Sequence, residues 1–378
     1  MLQPLKEFKV GRPQVFAGLM LLAFLAQCVW VSSSRKLSPL EEEYVASGFP
    51  PRPGQEYRIT SPFTGWVGAL PFKVARKAAG TIVSDQWVVP RAWMARIPFM
   101  VFGLWLGAAL WWVARRLFDD AGGYVALGLY CSSPAMVMIA SNIGPEVLLA
   151  WSIFGLLYTA IGVAHTLFAP PRKWLPRIVI LGLAIGFSLA TALWSFTMVL
   201  LALAFMLYLA PGRRWAAIRV ILGASAIGVG IYLLFVGLTG AHWVASHSLI
   251  TPHLSLEPVR NLKFVFADGY TNPDSYLFVA LFIAALTAYG SWRRAQYFGN
   301  TAPLLIGFAV VIFFALVPAI HIWIATLGLV FVFLFIGGIG ADLLETGFRH
   351  KAVAILAAAF LLRAVLGLWA LGTWVHNP

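Results

Sequence analysis

Acidic side chains are scarce in this chain, 14 Asp and Glu among 378 residues, and all charged residues together make up only 11%. A soluble domain carries roughly a quarter of its residues as charges, so a surface bathed in water all round is excluded. Cysteine is nearly absent. Cys28 and Cys131 both lie in apolar stretches, which argues against a disulfide framework and a thiolate metal cage. The chain also lacks a Gly-rich phosphate loop, an internal repeat and a low-complexity tract, so nothing in it reads as a nucleotide-binding cradle, a solenoid or a disordered segment.

What is abundant is apolar surface: 61% of residues are hydrophobic and the mean hydropathy is +0.84. The bilayer is the solvent such a chain is built for. The formal charge of +13 comes from Lys6/Lys9/Arg12, Arg115/Arg116, Arg172/Lys173/Arg177, Arg213/Arg214/Arg219, Arg293/Arg294 and Arg349/Lys351, together with cations in two long loops. Each cluster follows an even number of apolar runs. Short basic loops stay on the cytoplasmic side, where the leaflet is negative, so the N-terminus is predicted inside. Cations divided among short loops form no single basic face, which argues against a nucleic-acid partner.

A helix needs about 20 apolar residues to cross the hydrocarbon core, with every backbone group satisfied internally. The chain accordingly reads as an all-α, polytopic integral membrane protein, a single membrane domain over residues 1–378 with eleven predicted crossings. Nine of them span about 14–32, 94–114, 121–140, 146–168, 218–239, 276–292, 302–317, 320–341 and 352–374, and the other two fall in the run 178–210, which sits between cytoplasmic arginines and must cross twice, turning near Thr191. Residues 1–13 form the cytoplasmic start. Two outer segments, 33–93 and 240–275, are too long for simple turns and are where a site is expected. Within the first, the stretch from Pro62 to Ala79 places Val67, Leu70, Val74 and Ala78 at helical spacing and Lys73, Arg76 and Lys77 off that face. It is predicted to be an amphipathic helix lying at the interface.

Among so few acids, Glu41-Glu42-Glu43 just beyond the first crossing is the densest group, and Glu146 stands at the next outer turn. Two readings are open for each. A carboxylate there can take a proton from an acceptor hydroxyl or hold Mg²⁺ or Mn²⁺; equally, acids after Pro39 or Pro145 suit the positive end of a helix dipole. The outer cations are Arg35, Lys36, Arg52, Arg58, Arg91 and Arg96, and of these Arg58 and Arg96 are the foremost candidates for a lipid phosphate, with Arg91 beside them. His321 is placed for phosphate contact or for interfacial anchoring. His242, His247 and His253 share one loop at spacings that match no compact metal pattern. Arg363 falls inside the last crossing, where a charge is expected to face protein or a wet cavity.

The chain resembles the GT-C superfamily of membrane glycosyltransferases, in particular protein O-mannosyltransferases and aminoarabinose transferases. The resemblance rests on one crossing followed by a long outer loop, on Pro90-Arg91-Ala92-Trp93-Met94-Ala95-Arg96-Ile97-Pro98 opening the second crossing, and on Ala114-Arg115-Arg116-Leu117-Phe118 closing it. Cys131-Ser132-Ser133-Pro134, Ile143-Gly144-Pro145-Glu146 and Leu181-Gly182-Leu183-Ala184-Ile185-Gly186 extend it over residues 30–210. It implies a bacterial inner-membrane enzyme that moves a sugar from a polyprenyl-phosphate donor to an acceptor on the outer, periplasmic face. One of Glu41, Glu42 and Glu43 would be the base, Arg58, Arg91, Arg96 and His321 would bind phosphate or substrate, and Glu146 would orient a divalent cation or the acceptor. The family's Asp-Glu pair is incomplete here: with Tyr44 aligned to the family tyrosine, Leu40 replaces the Asp and Glu41 keeps the Glu, and with Ser47-Gly48 as the anchor Ser33 and Ser34 replace both. That departure supports an alternative, a catalytically inactive GT-C-like subunit that binds lipid or braces other membrane subunits.

Overall fold

The computed structural model describes residues 11–49, 61–79, 92–168, 174–239, 273–316, 326–346 and 349–376. All regular structure among them is helical. Helix α1 (Arg12–Ser34) is followed by the short α2 (Pro39–Ser47), α3 (Pro62–Ala79) and a 3-10 turn (Ala92–Arg96) that leads into α4 (Ile97–Cys131). Then come α5 (Pro134–Ala140), α6 (Pro145–Thr166), α7 (Leu175–Thr191), α8 (Phe196–Leu209) and α9 (Arg214–Thr239). The remainder is α10 (Pro273–Ser291), α11 (Phe298–Leu316), α12 (Thr326–Leu344) and α13 (Arg349–His376). Prolines stand in the first turns of α1, α2, α4, α5, α6 and α7, where the missing N–H is no loss and the fixed φ is already helical.

Six helices are long and apolar enough to cross a membrane: Arg12–Ser34, Trp93–Cys131, Pro145–Thr166, Pro211–Thr239, Leu327–Leu344 and Val353–Val375. Shorter apolar helices lie at Leu175–Thr191, Leu193–Leu209, Tyr276–Ser291 and Phe298–Val310. Two expected crossings, 94–114 and 121–140, fall largely on α4, which breaks at Phe118 and Asp119. Asp119 has φ 59°, the left-handed region that an L residue enters at a cost. The second of those crossings is interrupted again at Ser132 and Ser133, because Pro134 holds Ser133 extended and cannot donate to a continuing helix. The run 178–210 is likewise divided, at Ala192, next to the Thr191 turn.

Helix α3 forms where amphipathicity places it, yet its first half covers protein rather than lipid alone. Phe63, Val67 and Ala69 are buried while Val74 is exposed. The reason is aromatic: Phe63 packs against Phe102 of α4, Phe187 of α7 and Phe235 of α9, with ring centroids 4.9–5.8 Å apart, and Trp66 also meets Phe235. Such edge and tilted pairs contribute beyond their buried area. The cluster continues through Trp151 to Trp105, whose indoles stack at 5.7 Å. A close approach ties α2 to α3. A side chain at Gly48 would collide with the Gly65 carbonyl, so only glycine lets the end of α2 rest on α3.

Arg363 is buried in α13 as the sequence suggests, with its guanidinium carbon 4.8 Å from the Phe278 ring centroid and 5.4 Å from that of Phe333. These ring faces supply part of what an intramembrane cation requires.

Candidate active site

The site grows from the connection between α1 and α2. Ser38 caps α2 and Glu41 is its third helical residue, a spacing that closes a capping box. The Glu41 N–H donates to Ser38 Oγ at 3.3 Å and the Ser38 N–H donates to Glu41 Oε2 at 2.8 Å. The helix-start reading of the glutamates therefore holds for Glu41 at the local level.

Arg96, at the end of the 3-10 turn, completes Glu41 from across the chain. Its Nε donates to Oε1 at 2.8 Å and its Nη2 to Oε2 at 2.7 Å, the bidentate fork. Its remaining N–H groups donate to the carbonyls of Ser32 (2.9 Å), Arg35 (3.0 Å) and Lys36 (2.8 Å) at the C-terminal end of α1. Those carbonyls lie where a helix runs out of intrahelical partners and its dipole favours a cation. A guanidinium has five N–H donors, and all five are occupied here. No donor of Arg96 remains for a phosphate oxygen in this arrangement.

Glu41 is as fully engaged. Besides Arg96 and Ser38, its Oε1 accepts the Ile143 N–H at 3.0 Å, so each oxygen holds two hydrogen bonds. Burial pushes the carboxyl pKa up, but the hydrogen bonds and charge of Arg96, with the Ser38 and Ile143 amides, outweigh it and hold the value below the ordinary one. A carboxylate so held is a weak proton acceptor. It acts as the centre of a clasp that fixes the end of α1, the start of α2, the start of α4 and the turn before α6.

The clasp sets out the other acids. Glu42 is exposed and Glu43 half-buried on α2, and Tyr44 is buried beside them. The Tyr44 phenol is pushed up by burial first and then by the charges of Glu146 and Glu43. Glu146, half-buried in the first turn of α6, folds back over Gly144, where any side chain would collide with its carboxylate. Of the expected site residues, the structure thus brings Glu41, Glu43, Arg96 and Glu146 to one end of the bundle. Arg58, Arg91 and His321, and with them His242, His247 and His253, lie outside the described residues.

Among the described residues, no group of three or more His, Cys, Asp or Glu is placed to hold a metal ion.

Residues 88–238 match the family described as dolichyl-phosphate-mannose-protein mannosyltransferase. Among solved structures, the chain is similar to ArnT from Cupriavidus metallidurans in the apo state, with TM-score 0.63 and 16% identity over 93% of this chain and 65% of that one. It is also similar to the Archaeoglobus fulgidus oligosaccharyltransferase in complex with Zn and sulfate, with TM-score 0.55 and 14% identity over 93% of this chain and 52% of that one. The same archaeal enzyme, AglB, in complex with an inhibitory peptide and a dolichol-phosphate, aligns at TM-score 0.50 and 11% identity over 95% and 56%. No curated protein matches in sequence. The chain spans 65% of the length of ArnT and about half that of AglB. It is a polytopic, all-helical membrane protein whose fold is similar to those of ArnT and the archaeal oligosaccharyltransferase.

Two residues were passed over in reading the sequence. Tyr44 served only as an alignment mark, and Arg35 was one outer cation of several. The signal for Arg35 was its position at the very end of α1, where the next crossing must close over it.

Proposed function

We propose that the protein transfers a glycosyl group from a polyprenyl-phosphate to an acceptor hydroxyl, at the membrane face where α1 ends. The observation that carries this reading is the clasp. It locks Glu41 and Arg96 into the fold and leaves Glu43 and Glu146, whose charges both act on Tyr44, on a fold similar to that of ArnT. In the reaction, the acceptor oxygen attacks the anomeric carbon, the carbon–oxygen bond to phosphate breaks, and the polyprenyl phosphate leaves with the bonding pair. Glu43 receives the acceptor proton and Glu146 orients the acceptor, the roles that the resemblance divides between the first-loop glutamates and Glu146. The basic-loop pattern supports a place for this face outside the cytoplasm.

A specific observation also favours a second reading. Glu41, which keeps the family's Glu when Tyr44 is aligned with the family tyrosine, is saturated by structural bonds, as fits a subunit that keeps the fold and has given up catalysis. Native mass spectrometry of protein extracted gently from its own membrane separates the two. A monomer or homodimer carrying a polyprenyl-phosphate adduct is expected, and Glu43→Gln and Glu146→Gln should each lower sugar transfer from that lipid by about a hundredfold or more. A fixed assembly with other subunits and no such lipid would establish the silent reading instead.

A further inference from the structure

Next to the clasp sits a cation with one hydrogen bond among the described residues. Arg35 follows the last turn of α1 in extended conformation, φ −123° and ψ 140°. Its guanidinium carbon lies 3.7 Å from the ring centroid of Trp374 on α13, a face-on cation–π contact. One hydrogen bond, Nη1 to Asn142 Oδ1 at 3.3 Å, fixes the group in its plane. Nε is buried with no hydrogen-bond partner, and among the described residues Arg35 is in no ion pair.

The contrast with Arg96 is one of bookkeeping in charge as well as in donors. Arg96 and Glu41 neutralise one another through two bonds, while Arg35 is near enough to both to feel them. Burial, and then the charge of Arg96, pull the Arg35 pKa down, with Glu41 acting in the opposite sense. Among the described residues the Arg35 guanidinium is thus a cation without an ion-pair partner, half-buried and held flat. Asn142, which holds it, belongs to the same turn that gives the Ile143 N–H to Glu41 and leads into Glu146. A planar fork with free N–H groups, immobilised on an indole, matches the oxygens of a phosphate and loses little entropy on binding one.

We propose that Arg35 is the phosphate seat of this protein, its guanidinium edge receiving the oxygens of a lipid-linked phosphate while Trp374 and Asn142 hold the group in place. This deepens the transferase reading and rests on it for the identity of the lipid. When the sugar leaves, the phosphate gains negative charge, and a preorganised cation at that point stabilises the change.

The experiment is a binding measurement on the full chain in phosphatidylcholine nanodiscs, comparing decaprenyl phosphate with decaprenol and, separately, inorganic phosphate. The wild type is expected to favour the phosphorylated lipid over the alcohol by about tenfold or more, as a charge-assisted bidentate contact would give. Arg35→Gln should erase that preference while leaving decaprenol binding and the thermal midpoint in place. Arg35→Lys retains charge and stem and is expected to fold in any case; without the fork it should lose several-fold of the preference. An undiminished preference in both variants overturns the seat while leaving the polyprenyl-phosphate reading intact. Arg35-dependent binding of inorganic phosphate without any lipid preference supports the seat and removes the lipid donor. Absence of binding by either phosphate in the wild type overturns the seat.

Discussion

Two ion pairs in this molecule have the same chemistry and opposite settings. Arg96–Glu41 is buried, with side-chain exposures of 0% and 6%, and every N–H and oxygen in it has a protein partner. Arg294–Glu345, on the side the basic loops assign to the cytoplasm, has exposures of 55% and 56%. The first replaces the water that four converging segments would otherwise need. The second is screened and hydrated on both partners, and Arg294 is accounted for by topology without it. Arg96 is a structural element of the fold, whereas Arg294 contributes little to it.

The comparison is broken most severely at Arg96. Arg96→Ala strands a buried carboxylate and three helix-end carbonyls, and unfolding in detergent should show a loss of about 3–5 kcal/mol; a loss below about 1 kcal/mol would place this pair with the exposed ones. Next is Gly144→Ala, which pushes the Glu146 carboxylate aside without touching the clasp. Sugar transfer should fall about a hundredfold at unchanged thermal midpoint, the scale of a displacement of roughly 1 Å at a reacting group. A smaller effect is expected from acid. Because the native pKa of Glu41 lies below its ordinary value of 4.5, its contribution to stability is full above that value and is lost as the pH falls through the native one. A thermal midpoint that drops below about pH 4.5, with the drop reduced in Glu41→Gln, is the outcome to look for. Smallest of all, Glu345→Ala should change stability by about 0–1 kcal/mol, and less in high salt.

Local signals carried the fold a long way. The apolar runs and basic loops located the helices, and Ser38-Pro39 with Glu41 already contained the start of α2. The Arg115/Arg116 cluster lies just before the point at which α4 breaks. What stayed hidden was pairing at a distance. Nothing near Arg96 in sequence announces that it will meet a glutamate 55 residues earlier, so its charge invited a ligand when its role is in the fold. The amphipathic pattern of α3 was plain, whereas the identity of the surface it covers depended on rings contributed by α4, α7 and α9. Arg35 was overlooked for the converse reason. Its partner Trp374 lies at the far end of the chain, and its importance lies in bonds it does not make.

The clasp also imposes a schedule on synthesis. Glu41 emerges from the ribosome 55 residues before Arg96 and 102 before Ile143, so its partners arrive only with the second crossing and then with the turn before α6. Until then α2 has its own capping box and little else to hold it against the membrane surface. A nascent chain arrested before residue 96 carries an unanswered carboxylate beside the end of α1, and its continued elongation past residue 143 is what turns that loose segment into a fixed part of the bundle.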